Sequence, residues 1–66
     1  MTAADIPLAD QIAEVKRELA MRENVYPKLI DSGRLTPAAA HRHLANMRAV
    51  LATLEDIDRI NKEVGR

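Results

Sequence analysis

The sequence predicts an all-α protein, an antiparallel two-helix hairpin that homodimerises into a four-helix arrangement. No segment alternates apolar and polar side chains over the length of a strand, and strong helix formers dominate the composition. A single cluster of turn residues, Asp31–Pro37, separates two segments whose apolar residues recur every three or four positions. The 66 residues therefore predict one domain, with helix one over about 6–31, a turn over 32–36 and helix two over about 37–62.

Helix one is expected to begin near Ile6, with Asp5 as its N-cap and Pro7 in the first turn, where a missing N–H group is harmless. Pro27 lies inside this segment, so the helix either ends at Tyr26 or continues with a kink. We favour the kink, because the apolar face keeps its phase beyond the proline. That face is formed by Leu8, Ile12, Val15, Leu19, Tyr26, Leu29 and Ile30.

The turn has residues suited to end one helix and begin the next. Gly33 suits the left-handed position after a helix C-terminus, and Leu35 can fold back onto the last turn. Thr36 is the expected N-cap of helix two, with Pro37 as its first residue. A connection this short predicts that the two helices lie antiparallel.

Helix two has an apolar stripe that is too wide for one partner helix. Its first row is Ala40, Leu44, Met47, Leu51 and Leu54, and its second is Val50, Ile57 and Val64, flanked by Ile60. Together the rows span more than about 120° of the helix. A homodimer would cover the excess, and a hairpin held on another protein is the alternative. The predicted core and dimer residues are Ile12, Val15, Leu19, Leu44, Met47, Val50, Leu51, Leu54 and Ile57.

The composition argues against most chemistry. Without Cys, thiolate metal sites and thiol nucleophiles are excluded, and ten basic residues balance ten acidic ones, which argues against a nucleic-acid partner. His41 and His43 would point about 200° apart on a helix, which does not suit a shared metal. Glu55, Asp56 and Asp58 are interpreted as a solvated face. We expect no enzyme, no cofactor and no metal site.

Nothing in the sequence suggests a membrane span or a secretion signal. The longest run without a formal charge is Leu35–His41, far below the roughly 20 residues that a span needs. The first five residues, Met-Thr-Ala-Ala-Asp, lack the basic and apolar regions of a signal peptide. The expected location is the cytoplasm, without membrane association.

A few side chains of helix one are candidates for binding a partner. Met21 and Val25 lie one turn apart off the main apolar stripe, and basic residues flank them, so they are either a binding spot or stray surface residues. Arg22 occupies a slot of the core stripe, where it needs an ion partner or must extend to the surface. The candidate partner-binding residues are Arg17, Met21, Arg22, Val25, Tyr26 and Lys28.

Two stretches carry a resemblance to a known family. Residues 17–27 read R-E-x-x-M-R-x-x-V-Y-P, and residues 47–54 read M-x-A-V-L-A-T-L. This order resembles short bacteriophage and prophage proteins that include a quorum-sensing anti-activator. The resemblance implies a small helical dimer in the host cytoplasm that binds a LuxR-type transcription activator and keeps it from DNA. It also implies a second target, the motor ATPase of type IV pilus assembly.

The sequence departs from this family after Tyr26-Pro27. The family often has a basic residue and then Trp there, whereas this chain has Lys28 and then Leu29. If the Trp ring is a binding anchor, its absence changes the strength or choice of binding. The alternative function is a small structural or accessory protein of phage assembly with no host target.

Overall fold

The computed structural model describes residues 2–65, which form two long helices after a short 3-10 turn at Ala3–Asp5. Helix α1 is Leu8–Asp31 and helix α2 is Pro37–Val64, and no strand occurs among the described residues. Ion pairs between the helices join low numbers of α1 to high numbers of α2, which makes the helices antiparallel. The predicted all-α hairpin is confirmed.

Helix α1 begins two residues later than expected, and the predicted N-cap is wrong. Pro7 is the N-cap residue, in an extended conformation with φ −54° and ψ 141°. Ile6 is also extended, as residues before proline tend to be, so the chain cannot enter the helix at Asp5. The carboxylate of Asp5 instead accepts a hydrogen bond of 2.8 Å from the N–H group of Thr2.

Helix α1 then runs through Pro27 without ending, and it stops at the predicted turn. The N–H group of Arg34 donates to the carbonyl of Leu29 at 2.9 Å, and that of Gly33 donates to Ile30 at 3.0 Å. Gly33 has φ 77°, the left-handed conformation that this pair of bonds requires. The turn therefore has the glycine-based C-cap that the sequence indicates.

Helix α2 begins as predicted and ends slightly later. The hydroxyl oxygen of Thr36 accepts a hydrogen bond of 3.1 Å from the N–H group of Ala39, which makes Thr36 the N-cap. The helix continues to Val64, two residues beyond the expected end at Lys62.

The hairpin has one narrow apolar seam between its helices. Leu19 and Ala40, 9% and 4% exposed, are the only apolar residues in the buried class within the described chain. Val50 and Ile57, which the sequence assigns to the core or dimer contact, remain 48% and 43% exposed. The half-buried members of the predicted set are Ile12, Val15, Leu44, Met47, Leu51 and Leu54.

A single seam gives the chain an elongated and open shape. It measures 50 × 22 × 17 Å, with a radius of gyration of 15.0 Å against about 11 Å for a compact chain of this length. Its accessible surface is 5104 Å², whereas a folded monomer of 7.4 kDa is expected to expose about 4,200 Å². The chain thus exposes about 900 Å² more than a typical monomer of its mass.

Candidate protein-binding surface

One edge of the hairpin is formed by ion pairs that cross between the helices. Lys16 Nζ lies 3.6 Å from Glu55 Oε2, and Arg48 Nη2 lies 3.6 Å from Glu23 Oε1. On each helix the two charged residues are seven apart, so they share a face. These four residues, the ion-paired edge, show the register of the hairpin.

The opposite edge carries exposed apolar side chains. Val25, Val50 and Ile57 each follow a member of the ion-paired edge by two residues, which is a turn of about 200° around the helix. They therefore lie on the other side of the hairpin, between 37% and 48% exposed. We refer to these three residues, with the Glu18–Arg22 pair described next, as the apolar edge.

A charged pair lies within the apolar edge. Glu18 follows Lys16 by two residues, and Arg22 is one turn further on. Arg22 Nε donates to Glu18 Oε1 at 3.0 Å, and each side chain is about one-third exposed, at 33% and 32%. This hydrogen bond is the main factor that raises the pKa of Arg22 above its ordinary value. The sequence left two possibilities for Arg22, an ion partner or extension to the surface, and in the structure Arg22 has Glu18 as its ion partner.

The outer face of α1 presents a different group of side chains. Met21 and Arg17 are each two residues from the buried Leu19, a turn of about 200° around the helix. Both therefore point away from α2. Lys28, seven residues after Met21, shares this face. Met21 is 50% exposed, and Arg17 is paired with the carboxylate of Glu14. We call Arg17, Met21 and Lys28 the outer basic face, and Val25 lies at its border with the apolar edge.

The side chain of Tyr26 contributes to the contact between the two helices. Tyr26 is half-buried and contacts His43 with the two rings edge to face. His41 lies about 200° from His43 around α2, as expected from their spacing. Across residues 2–65 no three side chains are grouped as metal ligands and no pocket is present. The described chain therefore offers a partner open surfaces and no enclosed site.

Sequence reasoning missed the apolar edge as a unit. It placed Val25 with a partner surface and Val50 and Ile57 with the core, because the register between the helices was not known. A signal was present in the charges: Lys16 and Glu23 on α1 have the same order as Arg48 and Glu55 on α2, a basic residue followed by an acidic one seven positions later. Matching these charges antiparallel gives the observed register.

Comparisons with protein-family models, curated proteins and solved structures find no match for this chain. Between residues 2 and 65, neither helix contains a stretch that is long and apolar enough to cross a membrane. The fold thus defines the chain as a two-helix hairpin with two distinct open surfaces, the apolar edge and the outer basic face.

Proposed function

We propose that this chain is a phage-encoded inhibitor that acts as a homodimer, binds a host transcription activator of LuxR type and keeps it from DNA. The observation that carries the proposal is the exposed Met21 between Arg17 and Lys28 on the face of α1 that points away from α2. The resemblance of residues 17–27 and 47–54 to phage anti-activators supplies the class of target.

The outer basic face has the composition of a binding surface. A methionine side chain adapts its shape to an apolar recess, so Met21 can act as the anchor. Glu14 pairs with Arg17 and lies seven residues before Met21, so Arg17, Lys28 and Glu14 together carry one net positive charge. This charge favours an acidic rim on the partner and raises the rate of association. None of these three side chains is buried in the hairpin, so they can contact a partner without unfolding it.

The experiment measures promoter binding by a purified LuxR-type activator in gel shifts, with rising amounts of the protein. The wild-type protein is expected to abolish the shifted band and to elute with the activator as a complex. Met21→Asp should weaken this inhibition at least tenfold. Ala20→Asp is the matched control, because Ala20 is the exposed neighbour of Met21 and lies about 100° away around α1.

Circular dichroism should show the same helix content for both variants and the wild type. Failure of the wild-type protein to bind LuxR-type activators would contradict the proposed function. Equal inhibition by Met21→Asp and Ala20→Asp would instead show that the outer basic face is not the binding surface. Elution as a complex with a type IV pilus motor ATPase tests the second target, which we propose on the resemblance alone.

A further inference from the structure

We propose that a second copy of this chain covers the apolar edge, with the Glu18–Arg22 pairs of the two copies side by side at the two-fold axis. The inference rests on the homodimer that is part of the proposed function, and it assigns the surface that forms it.

The exposed area matches what a dimer needs. The chain exposes about 900 Å² beyond the expectation for its mass, and a standard interface buries about 800 Å² from each partner. Val50 and Ile57 are exposed beside the seam, in the row of α2 that the other helix of the hairpin cannot reach. A second hairpin laid on this edge gives each helix a second neighbour, as in a four-helix bundle.

The charged pair lies midway along the apolar edge. The register shown by the ion-paired edge places Ile57 level with Glu14 of α1, while Val25 lies near the other end of the edge. Glu18 and Arg22 fall between these two levels. The α1 side of the edge is therefore charged midway between Ile57 and Val25, and Val50 of α2 lies level with Met21, beside the charged pair.

Such an edge is complementary to itself. A two-fold axis through its centre brings apolar end against apolar end and places the carboxylate of one copy's pair near the guanidinium of the other's. The pair has no net charge, so the edge gives no attraction to a strongly acidic or basic partner. A second copy is the occupant that satisfies both its apolar and its charged parts, and it leaves Arg17, Met21 and Lys28 exposed on each copy.

Charge reversal within the pair tests this arrangement by sedimentation equilibrium at micromolar concentration. Glu18→Arg and Arg22→Glu each place four like charges at the axis of a homodimer. Each variant alone is expected to self-associate at least tenfold more weakly than the wild type. An equimolar mixture should regain a dimer of twice the 7.4 kDa chain mass, because opposite charges then meet across the axis.

The matched controls are Asp56→Arg and Arg59→Asp. They reverse a second ion pair within one helix, which lies on the far side of α2, with 3.1 Å between Arg59 Nη2 and Asp56 Oδ1. Both should dimerise like the wild type, and circular dichroism should show every variant helical. A monomeric wild type, undiminished dimers of Glu18→Arg and Arg22→Glu, or a mixture that stays monomeric would each overturn the inference. Loss of activator binding with an intact dimer would contradict the proposed function alone.

Discussion

Tyr26 on α1 and His43 on α2 meet edge to face, with their ring centroids 6.5 Å apart and their planes at 64°. The contact joins the two helices near the turn that connects them. Tyr26 is the only Phe, Tyr or Trp residue of the chain, and this contact commits its ring to the hairpin before it can contact any partner. The candidate partner residues of α1 thus have different environments, with Tyr26 half-buried and Met21 exposed.

Removal of the Tyr26 ring should destabilise the hairpin. Tyr26→Ala is expected to lower the free energy of unfolding by about 1–2 kcal/mol, less than for a fully buried aromatic ring because Tyr26 is only half-buried. Urea denaturation followed at 222 nm measures the change. Tyr26→Phe keeps the ring and should stay close to the wild type, and an equal loss in both variants would show that the hydroxyl group matters more than the ring.

Substitution of Gly33 tests the backbone conformation of the turn. Its φ of 77° is a conformation that costs other L-residues about 1–2 kcal/mol, so Gly33→Ala should lower the midpoint of thermal unfolding. Apart from Gly33 and its two chain neighbours, no residue has a heavy atom within 4 Å of the place where a Cβ would stand, so the cost is conformational and not steric. Gly33→Asn should be milder, because Asn tolerates the left-handed region better. An alanine variant as stable as the wild type would contradict this account of the turn.

The start of α2 depends on one hydroxyl group. Thr36→Ala removes the acceptor for the N–H group of Ala39 and should lower the free energy of unfolding by about 0.5–2 kcal/mol. Thr36→Ser retains an oxygen at this position and is the control, expected within a few tenths of a kcal/mol of the wild type. Chemical denaturation of the three proteins at one concentration measures the difference.

The narrow seam makes its central leucine important. Leu19→Ala should destabilise the protein by about 2–4 kcal/mol, because it removes the largest side chain among the buried residues. A small domain has only about 3–5 kcal/mol in total, so much of this variant should be unfolded at 25 °C. Met21→Ala, at an exposed position of the same helix, should retain its thermal transition. Similar melting of both variants would mean that the seam is misassigned.

The outer basic face should respond to salt. Arg17→Glu is expected to weaken binding of the LuxR-type activator a few-fold at low ionic strength, and the difference should shrink at high salt, where exposed charges are screened. Titrations at two salt concentrations measure it. Arg59→Asp, a charge reversal on α2, is the control and should bind like the wild type. A salt-independent loss would indicate that Arg17 contributes packing and not charge.

The parts of the fold that depend on local chemistry could be predicted from the sequence. Gly33 and Thr36 act on backbone groups within a few residues, so the turn and the start of α2 followed from residue identity. Asp5 failed as a cap because Ile6 and Pro7 both adopt extended conformations that delay the helix. The backbone conformations of Ile6 and Pro7 determine where α1 begins, so the capping preference of Asp5 alone could not predict this boundary.

The candidate surfaces needed more than local chemistry. The exposure of Met21 followed from its position on one helix, since it is off the apolar stripe. The grouping of Val25 with Val50 required the register between α1 and α2, which the pair of Arg48 and Glu23 reveals. Such a contact between residues distant in the chain is a property of the tertiary structure, and a periodicity within one helix does not contain it.

The single short connection at Gly33 also determines the order in which the contacts of the hairpin form during folding. Contacts between the helices range from Tyr26 with His43, close to the turn, to Lys16 with Glu55, far from it. Closing a short loop costs less entropy than closing a long one, so the hairpin should zip from the turn outward. The substitution Gly33→Ala should then slow folding, whereas a lost contact near Lys16 should mainly speed unfolding, and stopped-flow rates separate the two.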